Sequence, residues 1–155
     1  MEVEETGESL TDEQLERFEG TLRAVLPGPY RRFLLKSNGG VPCPDTIDVE
    51  GAPGSPTDVQ VFFGIGRPVK SSDLDWNKRT FADRLPSELL PIACDSGGNL
   101  FCITLAGDAA GHVIYVDLEP LQPTHYRVAR DFDTFLDKIG SHRPATRDLS
   151  QTPCA

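Results

Sequence analysis

Leu15, Phe18, Leu22, Val25 and Leu26 recur at helical spacing, with Glu13, Glu16 and Arg17 off that face, which predicts a first amphipathic helix. Thr11 and Gln14 make a capping box ahead of it, and Leu10 with Leu15 a hydrophobic staple. Pro27 stops the helix. Pro29 suits the first turn of a second, short helix striped by Tyr30, Phe33 and Leu34, and Asn38-Gly39-Gly40 ends it, because Asn and Gly tolerate the left-handed conformation. Between Val41 and Asp58 the prolines at 42, 44, 53 and 56 predict a long loop, with a short strand at Ile47–Val49.

Val59–Phe63 reads as a strand closed by Gly64 and Gly66. Residues 73–85 read as a helix capped by Ser72, with Leu74, Phe81 and Leu85 on one face. A meander follows: strands at Leu90–Cys94, Asn99–Leu105 and His112–Asp117, then a short one at Tyr126–Val128, with turn-rich segments between the first three. Asp131–Ile139 is the last helix, facing Phe132, Phe135 and Leu136 inward. The expected fold class is α+β, a single mostly antiparallel sheet with helices packed against it. Residues 1–9 are expected as a disordered acidic arm, 10–140 as the folded domain and 141–155 as a disordered tail.

The chain of 155 residues carries 24 acidic and 15 basic side chains, a net charge of −9. Residues 1–20 hold eight acids against Arg17, a net of −7, which leaves the rest at −2. A phosphate backbone would be repelled by the first segment and find no basic stripe elsewhere, so direct nucleic-acid binding is not expected. A basic protein would be steered in. No apolar run is long enough to cross a membrane. Met1-Glu2-Val3-Glu4-Glu5 has neither the basic nor the apolar region of an export signal, so a cytoplasmic protein is expected. Cys43, Cys94, Cys102 and Cys154 form no C-x-x-C pair and read as free thiols; His112, His125 and His142 form no metal-ligand cluster. No metal or cofactor is expected.

Two segments imitate catalytic or metal motifs. Asp95-Ser96-Gly97-Gly98 matches the tetrapeptide around a trypsin-like nucleophile, but no histidine base is recognisable, and a tight hairpin needs the same residues. Asp73-Leu74-Asp75-Trp76-Asn77 begins like a calcium loop, yet Lys78 and Arg84 stand where glycine and glutamate are required. Acids at a helix start account for it. With no catalytic constellation in the chain, an enzyme is not expected.

Leu26-Pro27, Tyr30, Phe33-Leu34-Leu35 and Asn38-Gly39-Gly40 resemble the opening signature of the SMI1/KNR4 (SUKH) superfamily. Phe63-Gly64, then Leu90-Pro91-Ile92-Ala93 with Asp95 and Gly97-Gly98-Asn99, look like its next blocks. Gly111–Asp117 is similar to its G-x-V-Y-x-x-D strand, and Ala129, Phe132 and Phe135-Leu136 to its closing helix. Gly28-Pro29, Asp131 and Leu118 depart from the pattern. The resemblance implies a mixed α/β fold and a binding module without catalytic activity. Bacterial members are largely immunity proteins, each neutralising a cognate toxin, often a nuclease, of polymorphic or contact-dependent systems. Eukaryotic relatives include a regulator of cell-wall synthesis, so a regulatory scaffold is the alternative.

The expected partner is therefore a basic toxin domain, masked stoichiometrically. Candidate contacts are Glu13, Glu16, Asp45, Asp48, Glu50, Asp58, Asp73 and Asp75, with Trp76 as aromatic anchor. On a helix Trp76 lies roughly 200° around from Leu74. It either packs beneath the proline-rich loop or faces a partner.

Overall fold

The computed structural model describes residues 1–141. Strand β1 (Glu2–Glu4) leads to helix α1 (Asp12–Leu22) and helix α2 (Gly28–Ser37). Four short strands follow: β2 (Val41–Cys43), β3 (Thr46–Ile47), β4 (Thr57–Asp58) and β5 (Val61–Phe62). A 3-10 turn at Lys70–Ser72 precedes helix α3 (Leu74–Thr80). Strands β6 (Leu89–Cys94), β7 (Leu100–Thr104), β8 (Val113–Asp117) and β9 (Thr124–Ala129) lead to helix α4 (Phe132–Lys138). β5 to β9 form one antiparallel sheet in sequence order, beside the two-stranded pairs β1–β2 and β3–β4. The α+β expectation holds.

The capping box on α1 forms as the sequence predicts: Thr11 Oγ1 accepts from Gln14 N at 3.2 Å, and Gln14 Oε1 accepts from Thr11 N at 2.8 Å. Asn38 terminates α2 in the left-handed region, at φ 46°. In the sheet, Pro91 has no N–H for the ladder, and the β6–β7 register shifts between Pro91 and Ala93.

Aromatic rings join the helices to the sheet. Tyr30 and Phe33 of α2 lie 5.0 Å from Phe132 of α4, and Phe33 lies 4.8 Å from Phe62 of β5. Phe135 of α4 meets Phe101 of β7 at 5.3 Å. Edge-to-face and tilted pairs at these distances add to the burial energy of the rings. α2 and α4 thus cover one face of the sheet.

Several expectations need correction. The arm at 1–9 is ordered: β1 pairs with β2, Gly7 N donates to Ser37 O at 3.1 Å, and Glu5 O accepts from Arg67. Backbone pairing, to which the glutamate side chains contribute nothing, holds it. The helix expected over 73–85 stops at Thr80 and is capped by Asp73, since Ser72 belongs to the 3-10 turn. The loop at 41–58 contains β2 and the β3–β4 hairpin. Cys94 and Cys102 are free, but Cys43 is disulfide-bonded, so the four-free-thiol expectation fails; Cys154 and the tail from 142 onward lie outside the described residues.

Candidate partner-binding surface

Eight carboxylates and one indole were expected at a partner surface, and the fold sorts them by what else each does. Asp58 closes β4 and accepts from both the backbone N–H (3.0 Å) and the hydroxyl of Ser96. Asp73 is the N-cap of α3: Oδ1 accepts from Trp76 N at 3.0 Å, while Oδ2 accepts from Gly66 N and Arg67 N. These two hold turns together. Asp75 pairs with Arg79 one helical turn on, at 2.9 Å on an exposed face, where such pairs are weak.

The remaining acids are exposed to solvent. Glu13 and Glu16 are exposed on α1, and no ion pair engages either among the described residues. Asp45, Asp48 and Glu50 are exposed on the β3–β4 hairpin, whose loop is anchored by buried Ile47 and Val49 and by Ser55 Oγ accepting from Val49 N at 2.9 Å. Asp48, Glu50 and Ser55 line a cleft of about 460 Å³ together with Arg127 and Lys138. Trp76 is half-buried and stands outside the hydrophobic cluster. The nine residues do not converge on one spot: hairpin, α1 and α3 carry them separately.

Two acids of the first twenty residues pair with Arg31, one buried and one on the surface. Glu19 is buried, accepting from Leu26 N at 2.8 Å and from Arg31 Nε at 3.2 Å, and Arg31 also reaches Asp12 at 3.3 Å. The hydrogen bond that Arg31 donates to Glu19 foremost holds its guanidinium protonated above the ordinary range. Glu2, Glu4, Glu5, Glu8, Glu13 and Glu16 are left exposed and without ion pairs among the described residues.

The model of the SMI1 / KNR4 family (SUKH-1) matches residues 9–138. The chain belongs to that family. It is also 26% identical over 144 residues to an SPbeta prophage-derived uncharacterized protein, YokK, of Bacillus subtilis (strain 168), covering 81% of this chain and 72% of that one.

The SMI1/KNR4 signature residues of this chain work inward. Leu26, Tyr30 and Leu34 are core. Asn38 is 2% exposed, donates Nδ2 to the carbonyls of Glu8 and Ile65 (both 2.9 Å), and accepts from Ile65 N at 2.7 Å. A Cβ on Gly64 would meet Asn38 O at 2.2 Å, so that glycine is required for the close approach. Asp131, which replaces the family's frequent serine, caps α4 in the same way, accepting from Thr134 N at 2.7 Å. This bond holds its carboxyl below the usual range.

Asp95 has a role that its turn-like sequence context hides. It is 3% exposed, and its carboxylate accepts from Tyr115 OH (2.6 Å), Thr57 Oγ1 (2.9 Å) and Asn99 N (2.8 Å). Burial and this carboxylate raise the Tyr115 phenol well above its ordinary value. The neighbouring Ser96 hydroxyl donates to Asp58, a contact that braces the hairpin against the turn after β6. Burial, then Asp95 and Asp58, push the Cys94 thiol up to about 11. The only sequence signal for the Asp95 network is the Asp-x-Gly-Gly-Asn block itself. Among the described residues no group of three or more His, Cys, Asp or Glu could hold a metal ion, and no helix is long and apolar enough to cross a membrane.

Proposed function

We propose that this chain is an immunity protein that binds a cognate bacterial toxin domain and neutralises it by stoichiometric masking, without catalysis. The observation that carries the reading is the set of six exposed, ion-pair-free carboxylates in the first sixteen residues, on a family framework whose signature side chains are occupied inside. Toxins of the nuclease class present basic, phosphate-binding surfaces. An acidic protein competes for such a surface through charge complementarity and speeds the encounter by steering. Glu13, Glu16, Asp45, Asp48 and Glu50 supply charge; Trp76, half-buried outside the core, is the aromatic anchor. Asp58 and Asp73 contribute through the turns they hold, and Asp75 shares its charge with Arg79.

Co-expression with the toxin domain encoded beside the gene is the test. Restored growth and a one-to-one complex that survives gel filtration are expected. Replacing Glu13 and Glu16 by lysine should slow association about tenfold at low salt while leaving the melting temperature in place. Failure to protect, together with several substoichiometric partners, would instead place the chain with the regulatory scaffolds.

A further inference from the structure

We infer that the open edge of β1, with the groove beside it, receives an extended segment of a protein partner as an added strand, one that alternates basic and apolar side chains. This rests on the partner-binding reading above and names the surface that reading leaves open.

Among the described residues β1 has a neighbour on one side only, β2, in the register Glu2↔Cys43, Val3↔Pro42, Glu4↔Val41. Pro42 has no N–H, so the Val3↔Pro42 pair cannot exchange hydrogen bonds. The ladder bonds therefore fall to the Glu2 and Glu4 pairs, and in an antiparallel ladder the intervening residue turns its N–H and C=O the other way. Val3 thus offers one donor and one acceptor at the open edge. Neither is taken by another backbone group among the described residues.

A groove of about 720 Å³ runs beside this strand, with α2 and α4 as its other wall. Its apolar lining includes Val3, Pro29, Phe33 and Leu136; Lys36 and the Arg32–Asp133 ion pair border it. Strand period puts Glu2 and Glu4 on one face and Val3 on the other, where it packs against the core. A strand laid along the edge then places basic residues opposite Glu2 and Glu4, and an apolar residue opposite Val3.

A short, charged edge is also how proteins prevent unwanted pairing. Here that same charge selects. A second copy of this chain would bring glutamates against glutamates, whereas a basic segment replaces repulsion by attraction. Strand addition takes its affinity from the main chain and its specificity from alternate side chains, both of which this edge supplies.

The test is an NMR titration of the 15N-labelled protein with the peptide acetyl-Lys-Val-Lys-Val-Lys-Val-Lys-amide. A peptide of the same composition with four lysines followed by three valines is the control. Binding should shift the Val3 amide, slow its hydrogen exchange and weaken as salt is raised. Val3→Pro removes an N–H that the β1–β2 pair does not use, so the fold should persist while binding falls about tenfold or more. Glu2→Lys with Glu4→Lys should do the same through charge. An unmoved Val3 amide, equal binding of the control peptide, or wild-type binding by Val3→Pro with core resonances intact would overturn the assignment. The toxin experiment separates the two readings. Edge variants that still protect cells fully would refute the edge and leave immunity standing. A peptide that binds at Val3 when no neighbouring toxin is neutralised would do the reverse.

Discussion

The hydroxyl of Tyr115 on β8 donates to the buried carboxylate of Asp95 at 2.6 Å, and that carboxylate also holds Thr57 of β4 and the backbone of Asn99 at the start of the next strand. One side chain therefore fastens the β3–β4 hairpin to the sheet. Asp95→Ala strands four donors, the Asn99 side-chain amide included, and should lower stability by about 3–5 kcal/mol, against about 1–3 kcal/mol for Tyr115→Phe. Urea denaturation of both variants and of the double variant checks this. Strictly additive effects would mean that the pair is not coupled.

Asn38 combines a left-handed backbone with three buried side-chain hydrogen bonds. Asn38→Gly removes the strain of the left-handed site and loses the side chain, whereas Asn38→Ala loses both advantages. The expected order of stability is wild type, then glycine, then alanine, with the alanine variant about 2–4 kcal/mol below wild type. Thermal melts in which alanine matches or exceeds glycine would contradict the assigned geometry.

Tyr30 is fully buried, and its hydroxyl has no hydrogen-bond partner among the described residues. Burial keeps that phenol protonated far above its ordinary range. Removing an unsatisfied buried hydroxyl is a gain, so Tyr30→Phe should be neutral or stabilising by up to about 1 kcal/mol. A clear loss in the melting temperature would reveal a partner for that oxygen.

Asp131 caps α4 chiefly through the Thr134 N–H, which holds its carboxyl below the usual range. A depressed folded value means that the stabilisation is present above the unfolded value of about 3.9 and is lost as pH falls through the folded one. Melting temperatures from pH 7 down to pH 2 should therefore converge for wild type and Asp131→Ala at the acid end. Asp131→Asn, which keeps a capping oxygen without the charge, should show a flatter acid limb than wild type.

The Cys94 thiol, pushed up to about 11, is about one part in a thousand thiolate at pH 8. Iodoacetamide should leave Cys94 unmodified in the folded protein at that pH and label it once urea unfolds the chain. Peptide mapping by mass spectrometry locates the label. Rapid labelling of Cys94 in the native state would refute its raised pKa.

The helices and the meander were legible because their signals are local. Thr11 with Gln14, Pro29 with Asn38, and the runs at 90–94, 99–105 and 112–117 each carry period and punctuation within a few residues, and α2 and these strands differ from them by a residue or so at the ends, whereas α1 stops at Leu22, where Arg23 turns left-handed, well before Pro27. β1 was not legible. Its residues are mostly charged, and only its pairing with a proline-rich segment some forty residues away makes a strand of them. Asp58 and Asp73 look like surface charge in the sequence because the N–H groups they accept belong to turns whose closure is a tertiary event. Asp95 misleads for the same reason: local chemistry says hairpin, and its burial is decided by Tyr115 and Thr57.

Asn38, Tyr30, Asp95 and Gly64 make the chain recognisable as a SMI1/KNR4 protein, and all four are enclosed. Glu13, Glu16 and Glu50 lie on the outside and touch none of that machinery. Mutational drift in one set therefore leaves the other undisturbed. Two relatives can agree at every diagnostic position and still present different outer surfaces, and the exterior can change in few steps while the scaffold keeps folding.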